Sequence, residues 1–212
     1  MSNWLSKLDP QSKLLNEFNS PYYNRRVWIL SRQLAKAIPS RGTVLDLGSG
    51  DGQIALALMK LRPDLKVEGV DVVPRPKTLI PITQYDGGTL PFADQSFDYV
   101  TIVDVLHHTL DPSAVMSEAR RVARHGVVIK DHLREGFLAN ETLTFMDWVG
   151  NFGDAVPMPY NFLSLSEWQG AFFKSRLELV SMNEDLNIYW GPAGWLFGRR
   201  LHFVAYLTPK DA

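Results

Sequence analysis

An α/β fold built on a largely parallel sheet is what this sequence predicts, and three observations predict it. Thr43-Val-Leu-Asp-Leu-Gly-Ser-Gly-Asp-Gly52 begins as an apolar, β-prone run and ends in glycines at alternate positions, Gly48, Gly50 and Gly52. Gln53-Ile-Ala-Leu-Ala-Leu-Met-Lys60 follows at once and is rich in helix formers, so the stretch reads strand, glycine turn, helix. Lys66-Val-Glu-Gly-Val-Asp71 then reads as a second strand ending in an acid. Tyr99–Val105 reads as a later strand, nearly continuously apolar as a parallel strand covered on both faces should be.

The bulk numbers bound the function. At 212 residues with 45% apolar and 21% charged residues, one domain with its own core is expected. Lys+Arg 22 against Asp+Glu 23 leaves no basic face for nucleic acid. Cysteine is absent, which excludes disulfides, thiolate metal sites and a cysteine nucleophile. Met1-Ser-Asn-Trp-Leu-Ser-Lys-Leu-Asp9 lacks the basic and apolar regions of a signal peptide, and no apolar run approaches the ~20 residues of a membrane span. A cytoplasmic protein without membrane partners is the expectation, and no feature sets an oligomeric state.

The glycine turn carries the first chemistry. Glycine is needed where the backbone takes positive φ or where a ligand must approach the main chain, and the helix behind it aims free N–H groups at that ligand. The spacing is G-x-G-x-G rather than the dinucleotide G-x-G-x-x-G, and the turn holds Asp46 and Asp51. Two carboxylates repel a pyrophosphate and attract a ligand bearing an ammonium or sulfonium group. Asp71, at the tip of the second strand, would stand near Gly48 and Gly50, where it can accept both hydroxyls of a ribose. Val72 and Val73 can then pack on an adenine.

On these residues, with Leu90-Pro-Phe92, Ser96-Phe-Asp-Tyr-Val100, Val105-Leu-His-His108 and Asp111-Pro112, the chain resembles the class I S-adenosylmethionine-dependent methyltransferases, and among them the small type 11 enzymes. The resemblance spans residues 43–130. It implies a Rossmann-like seven-stranded sheet, mostly parallel with an antiparallel last strand, helices on both faces and a lid inserted before strand 6. It also implies that S-adenosylmethionine is held by Asp46, Gly48, Ser49, Gly50, Asp71, Val72, Asp86, Gly87, Asp104 and Val105. One domain is expected over 1–212. Within it, 1–39 form an N-terminal helical segment, 40–132 the cofactor-binding core, 133–163 the lid, and 164–212 the last helix and hairpin.

In chain order, residues 1–39 carry apolar positions at helical spacing, with Pro21 dividing two helices. In similar methyltransferases such a segment lies across the cofactor, which makes Tyr22, Tyr23, Arg25 and Arg26 candidate wall residues. Pro74, Pro76 and Pro81 forbid a helix after Asp71, so the crossover to a third strand near Ile82–Tyr85 is expected to be an extended loop that leaves the adenine side open. Asp86-Gly87-Gly88 closes that strand; by resemblance Asp86 accepts the adenine amino group, while the same residues also favour a plain Asp-Gly turn. Asp104 sits within the fourth strand, where a carboxylate must be paired or wet, so it is expected to face the methionine part of the cofactor or the acceptor. Asp111 opens a helix with arginines at its end. Gly126–Lys130 is the fifth strand, followed by Asp131 and His132.

Residues 133–163 are long for a connection inside a compact domain. They hold a helix over about Glu141–Val149 and a Gly/Pro loop through Gly153, Pro157 and Pro159, read as a lid over the acceptor. Ser164-Leu-Ser-Glu167 fits a capping box opening a helix to about Lys174. Strands follow near Leu177–Ser181, continuing toward Tyr189, and near Leu201–Leu207.

Methyl transfer from a sulfonium needs an acceptor held behind the methyl group, and a base where the acceptor must lose a proton. His132, oriented by Asp131 or another lid carboxylate, is the first candidate base and His108 the second; no spacing among the histidines suggests a metal site. Aromatic residues concentrate in 133–212, which favours an apolar or aromatic small-molecule acceptor, with oxygen or nitrogen ahead of carbon. A nicotinamide-dependent oxidoreductase, which shares the strand–glycine–helix unit, and a non-catalytic cofactor-binding protein are the competing readings.

Overall fold

The computed structural model describes residues 21–150 and 159–210. Its first helix, α1, spans Pro21–Ala37, and β1 (Gly42–Leu47) leads through the glycine turn into α2 (Gln53–Leu61). β2 (Leu65–Asp71) and the short β3 (Ile82–Gln84) come next, with no helix between them, as the prolines require. β4 (Phe97–Val103), a 3-10 turn at Leu106–His108, α3 (Pro112–Val122) and β5 (Ala123–His132) complete the parallel part. The helices and strands α4 (Ala139–Gly150), α5 (Leu165–Lys174), β6 (Leu177–Asn183), α6 (Gly191–Phe197) and β7 (His202–Pro209) follow. Gly153 and Pro157 of the lid loop lie outside the described residues.

The seven strands run in the order β3-β2-β1-β4-β5-β7-β6. β3, β2, β1, β4 and β5 are parallel neighbours, and β7 joins antiparallel both to β5 and to β6. Chain order reverses between β1 and β4, and at such a switch point the strand tips splay and leave a crevice for a ligand. The core lies on both faces. Leu45, Leu47, Val100, Ile102, Val127 and Ile129 pack toward α3 and α5, while Val44, Tyr99 and Val128 pack toward α1 and α2.

Four expectations on boundaries need correction. β4 ends at Val103, and Asp104 follows it with φ +55, so its side chain leaves the sheet at a turn. Asp131 and His132 belong to β5 rather than following it, because β7 pairs with them at Phe203 and His202. β6 stops at Asn183 and does not run toward Tyr189; α6 occupies 191–197 instead. The lid helix begins at Ala139, two residues before Glu141. The capping box is present, with Ser164 Oγ accepting from the Glu167 N–H and the Glu167 carboxylate accepting from the Ser164 N–H. Such a cap contributes about 1 kcal/mol.

Candidate active site

The crevice between β1 and β4 has two halves, and the first is built by main chain. Gly48, Gly50 and Gly52 all take positive φ (+75, +59 and +85). A Cβ on Gly48 would lie 2.3 Å from Val105 Cγ2, whereas one on Gly50 would meet nothing within 4 Å. The first glycine thus lets the β4 tip close on the turn, and the second leaves bare peptide facing open space. Asp71 stands beside it: Oδ2 accepts the Gly50 N–H at 2.7 Å and Oδ1 accepts the Val73 N–H at 2.8 Å. A cavity of about 170 Å3 adjoins them, lined by Gly50, Asp71, Val73, Arg75, Thr78 and Gln84. It lies where the helix-free crossover leaves the sheet.

Asp46 is buried behind the turn and accepts Thr101 Oγ1 at 2.7 Å. Burial pushes its carboxyl up to about 6; Thr101 opposes this and the neighbouring Asp71 adds to it. Ser49 Oγ is buried against Gly69 with no hydrogen-bond partner among the described residues. Asp51 is used locally, its oxygens accepting the Gln53 N–H and Nε2. At the outer rim, a Cβ on Gly87 would lie 3.4 Å from Val72 Cγ1, and the exposed Asp86 accepts the Gly88 N–H, forming the Asp-Gly turn that the same residues favour. A nucleoside bearing positive charge and no phosphate fits this half: it offers Asp46 and Asp71 a cation and hydroxyls, and it needs the bare peptide at Gly50.

The second half is built by side chains from distant segments. The 3-10 turn after β4 presents His107 and His108, the end of β5 presents Lys130, Asp131 and His132, and α4 presents Asp147 from above. Asp131 is fully buried and fixed on three sides. Its Oδ1 takes His107 Nδ1 and the His132 N–H, each at 2.7 Å, and its Oδ2 takes the Leu106 N–H at 3.0 Å. Burial would raise this acid, but His107 and His132 outweigh it and hold it far below the usual carboxylate range. Burial likewise works against a charge on His107, yet Asp131 and Asp147 on its two sides lift it to about 10. His132 goes the other way: burial, His107 and Lys130 press it down to about 4.

This corrects the expected pairing, since Asp131 orients His107 and only its 3.4 Å flank reaches His132 Nδ1. Asp104 is also spoken for, because Arg26 and Lys130 both pair with its carboxylate. Those cations outweigh its burial and hold it well below the usual range, so its lone pairs are engaged by α1 and β5. Arg26 thus ties α1 to the turn after β4, while Arg25 braces the loop before α6 through the carbonyls of Asn187 and Ile188.

The segment that returns from α4 packs on the histidine cluster. The Asn161 N–H donates to the His107 carbonyl at 3.1 Å, and Phe162 stacks on the His107 ring with centroids 5.4 Å apart. Trp168, fully buried in α5, donates from Nε1 to the His132 carbonyl at 3.0 Å and so braces the end of β5. A larger groove of about 470 Å3 runs along α4 past Phe145, Trp148 and Tyr160. The titratable cluster lies beneath α4 and not in that groove.

Sequence reasoning missed Lys130, Asp147 and the central place of His107. The signal for Asp147 was present: Ala139, Leu143 and Asp147 recur every four residues, so the carboxylate shares the buried face of the helix. Lys130, a charge inside an apolar strand, was visible too.

Comparison with known proteins places the chain in a family. A methyltransferase-domain family matches residues 45–129, and the chain belongs to the S-adenosylmethionine-dependent methyltransferases. Its relatives include a demethylmenaquinone methyltransferase of Roseiflexus castenholzii, 34% identical over 179 residues, covering 80% of this chain and 74% of that protein. Another, of Roseiflexus sp. strain RS-1, is 34% identical over 113 residues, 49% of this chain; the chain spans about half the length of that relative, 48%. Among solved structures, an S-adenosylmethionine-dependent methyltransferase from Aquifex aeolicus superimposes with a TM-score of 0.63 at 18% identity, covering 96% of this chain and all of that one, which shows the shared fold.

Proposed function

We propose that the protein transfers the methyl group of S-adenosylmethionine to a hydroxyl on a small aromatic or apolar acceptor. The acceptor would lie between the histidine cluster and the lid. The observation that carries this reading is the placement of an oppositely tuned histidine pair, His107 and His132, with ring centroids 4.5 Å apart and both packed on the buried Phe162 at the strand tips beside the glycine turn. S-Adenosylmethionine supplies a methyl already activated on a sulfonium, whose C–S bond breaks with the electron pair left on sulfur. The protein then has to hold the acceptor in line and manage one proton, and positioning alone can supply about 7–11 kcal/mol.

The chain divides these tasks. Asp46, Gly48, Ser49, Gly50 and Asp71 hold the cofactor, with Val72, Asp86 and Gly87 at its adenine rim. His107, held between Asp131 and Asp147, would lie beside the acceptor and contribute positive charge that favours its ionised form. His132, neutral at pH 7, accepts the hydroxyl proton as the new C–O bond forms. With a value near 4 it is a weak base, which suits an acidic hydroxyl such as an enol or phenol rather than an aliphatic alcohol. His108, at the more exposed side of the cluster, lies where the acceptor enters.

The test is to incubate the protein with S-adenosylmethionine and a panel of phenols, naphthols and hydroxyquinones, following S-adenosylhomocysteine release and the mass of the product. O-methylated product from an aromatic hydroxyl is expected. Ring-methylated product would move the acceptor atom to carbon, and NAD binding in place of S-adenosylmethionine would overturn the reading.

A further inference from the structure

We infer that His107, His108 and Asp147 form a binding site for a divalent transition metal of the zinc class, beneath the lid helix. Asp147 Oδ1 lies 3.5 Å from His107 Nε2 and 3.6 Å from His108 Nε2. A tetrahedral site with ligand distances of about 2.0–2.2 Å separates its ligand atoms by about 3.3–3.6 Å, so the two separations made by Asp147 match one, and all three ligand atoms lie within 4.8 Å of one another. Two imidazoles and a carboxylate are also the donor set such an ion prefers, with a fourth position left open.

The surroundings match as well. A metal-binding histidine usually gives its other ring N–H to a carboxylate, which fixes the tautomer and aims the remaining lone pair. His107 does this, with Nδ1 at 2.7 Å from Asp131 Oδ1, and Asp131 is itself locked by the Leu106 and His132 N–H groups. His107 and Asp147 side chains are 1% and 3% exposed and His108 14%, so the coordination face is dry on two sides and opens on the third. The ligands come from a 3-10 turn and from a helix some forty residues later, which explains why no local histidine spacing announces the site. The metal would supply the positive charge on the Nε2 edge of His107 and take the acceptor oxygen as its fourth ligand. Only that last role rests on the function proposed above.

The experiment uses the full chain, stripped with chelator and then titrated with Zn2+ by calorimetry and with Co2+ by visible absorption. One ion per chain is expected, with the d–d bands of tetrahedral cobalt. His108→Asn and Asp147→Asn should each weaken the metal by about 10–100-fold while S-adenosylmethionine affinity, measured alongside as proof of folding, stays the same. Absence of stoichiometric uptake and of cobalt bands in the wild type would overturn the inference without recourse to any variant, as would unchanged affinity in both variants. The two readings fail separately. Metal bound with no turnover of any hydroxyl acceptor removes the proposed acceptor and leaves the site. Turnover by a protein that takes up no metal removes the site and leaves the acceptor.

Discussion

The two halves of the crevice are made differently. The half proposed for the cofactor comes mostly from residues 46–73 and works through backbone: positive-φ glycines, peptide N–H groups held by Asp71 and two acids at neighbouring strand tips. The half proposed for the acceptor is gathered from residues 104–108, 130–132, 147 and 160–162 and works through buried side chains whose charges depend on one another. A turn that only glycine can make is written locally, whereas a network of buried charges exists only once the fold has closed. Damage to the first should therefore show in cofactor affinity, and damage to the second in turnover.

The largest effect is expected in the acceptor half. Asp131→Asn keeps the shape but removes the charge that holds His107, so turnover should fall by about 10²–10⁴, read as S-adenosylhomocysteine release. A loss below threefold would show that the buried pair is structural alone. Next comes Gly48→Ala, whose Cβ would meet Val105 at φ +75; a loss of about 2–4 kcal/mol in denaturant unfolding is expected, partly recovered in Gly48→Ala/Val105→Ala. No recovery would place the cost in the backbone rather than in the contact. Asp71→Ala should weaken cofactor binding by about 10–100-fold, through loss of a charged acceptor, and unchanged affinity would put the nucleoside elsewhere.

Asp46 gives the comparison a pH signature. Its folded value is raised to about 6 from 3.8, so in the ligand-free protein the acid's stabilising contribution is full below about pH 4 and is lost as pH rises through 6. A cation beside it reverses the preference, and cofactor affinity should rise about tenfold from pH 5 to pH 7. A flat profile would separate Asp46 from the cofactor. The smallest effect is a control outside both halves: Ser164→Ala, which removes the cap of α5, should cost about 1 kcal/mol of stability and leave cofactor affinity unchanged.

The same contrast explains what the sequence disclosed. Strand, glycine turn and helix, the acid at residue 71, the helix-free crossover and the capping box all follow from local rules, because each depends on residues within a few positions. α6 was hidden since Gly191-Pro-Ala-Gly194 reads as a loop, although Pro192 at the first turn suits a helix start. The histidine cluster was legible only in part. Position along β4 and β5 brought His107, His108 and His132 to one sheet edge, but which imidazole Asp131 would hold depends on the β5–β7 register and on the turn at Asp104. That choice decides which histidine is charged.

The most direct measurement is calorimetric titration of S-adenosylmethionine into the wild type, Asp71→Ala and Asp131→Asn. One ligand per chain is predicted, with affinity lowered by Asp71→Ala and equal in the wild type and Asp131→Asn. An affinity that falls as far in Asp131→Asn as in Asp71→Ala, or a wild type that takes NAD in preference, would contradict the division of the crevice described here.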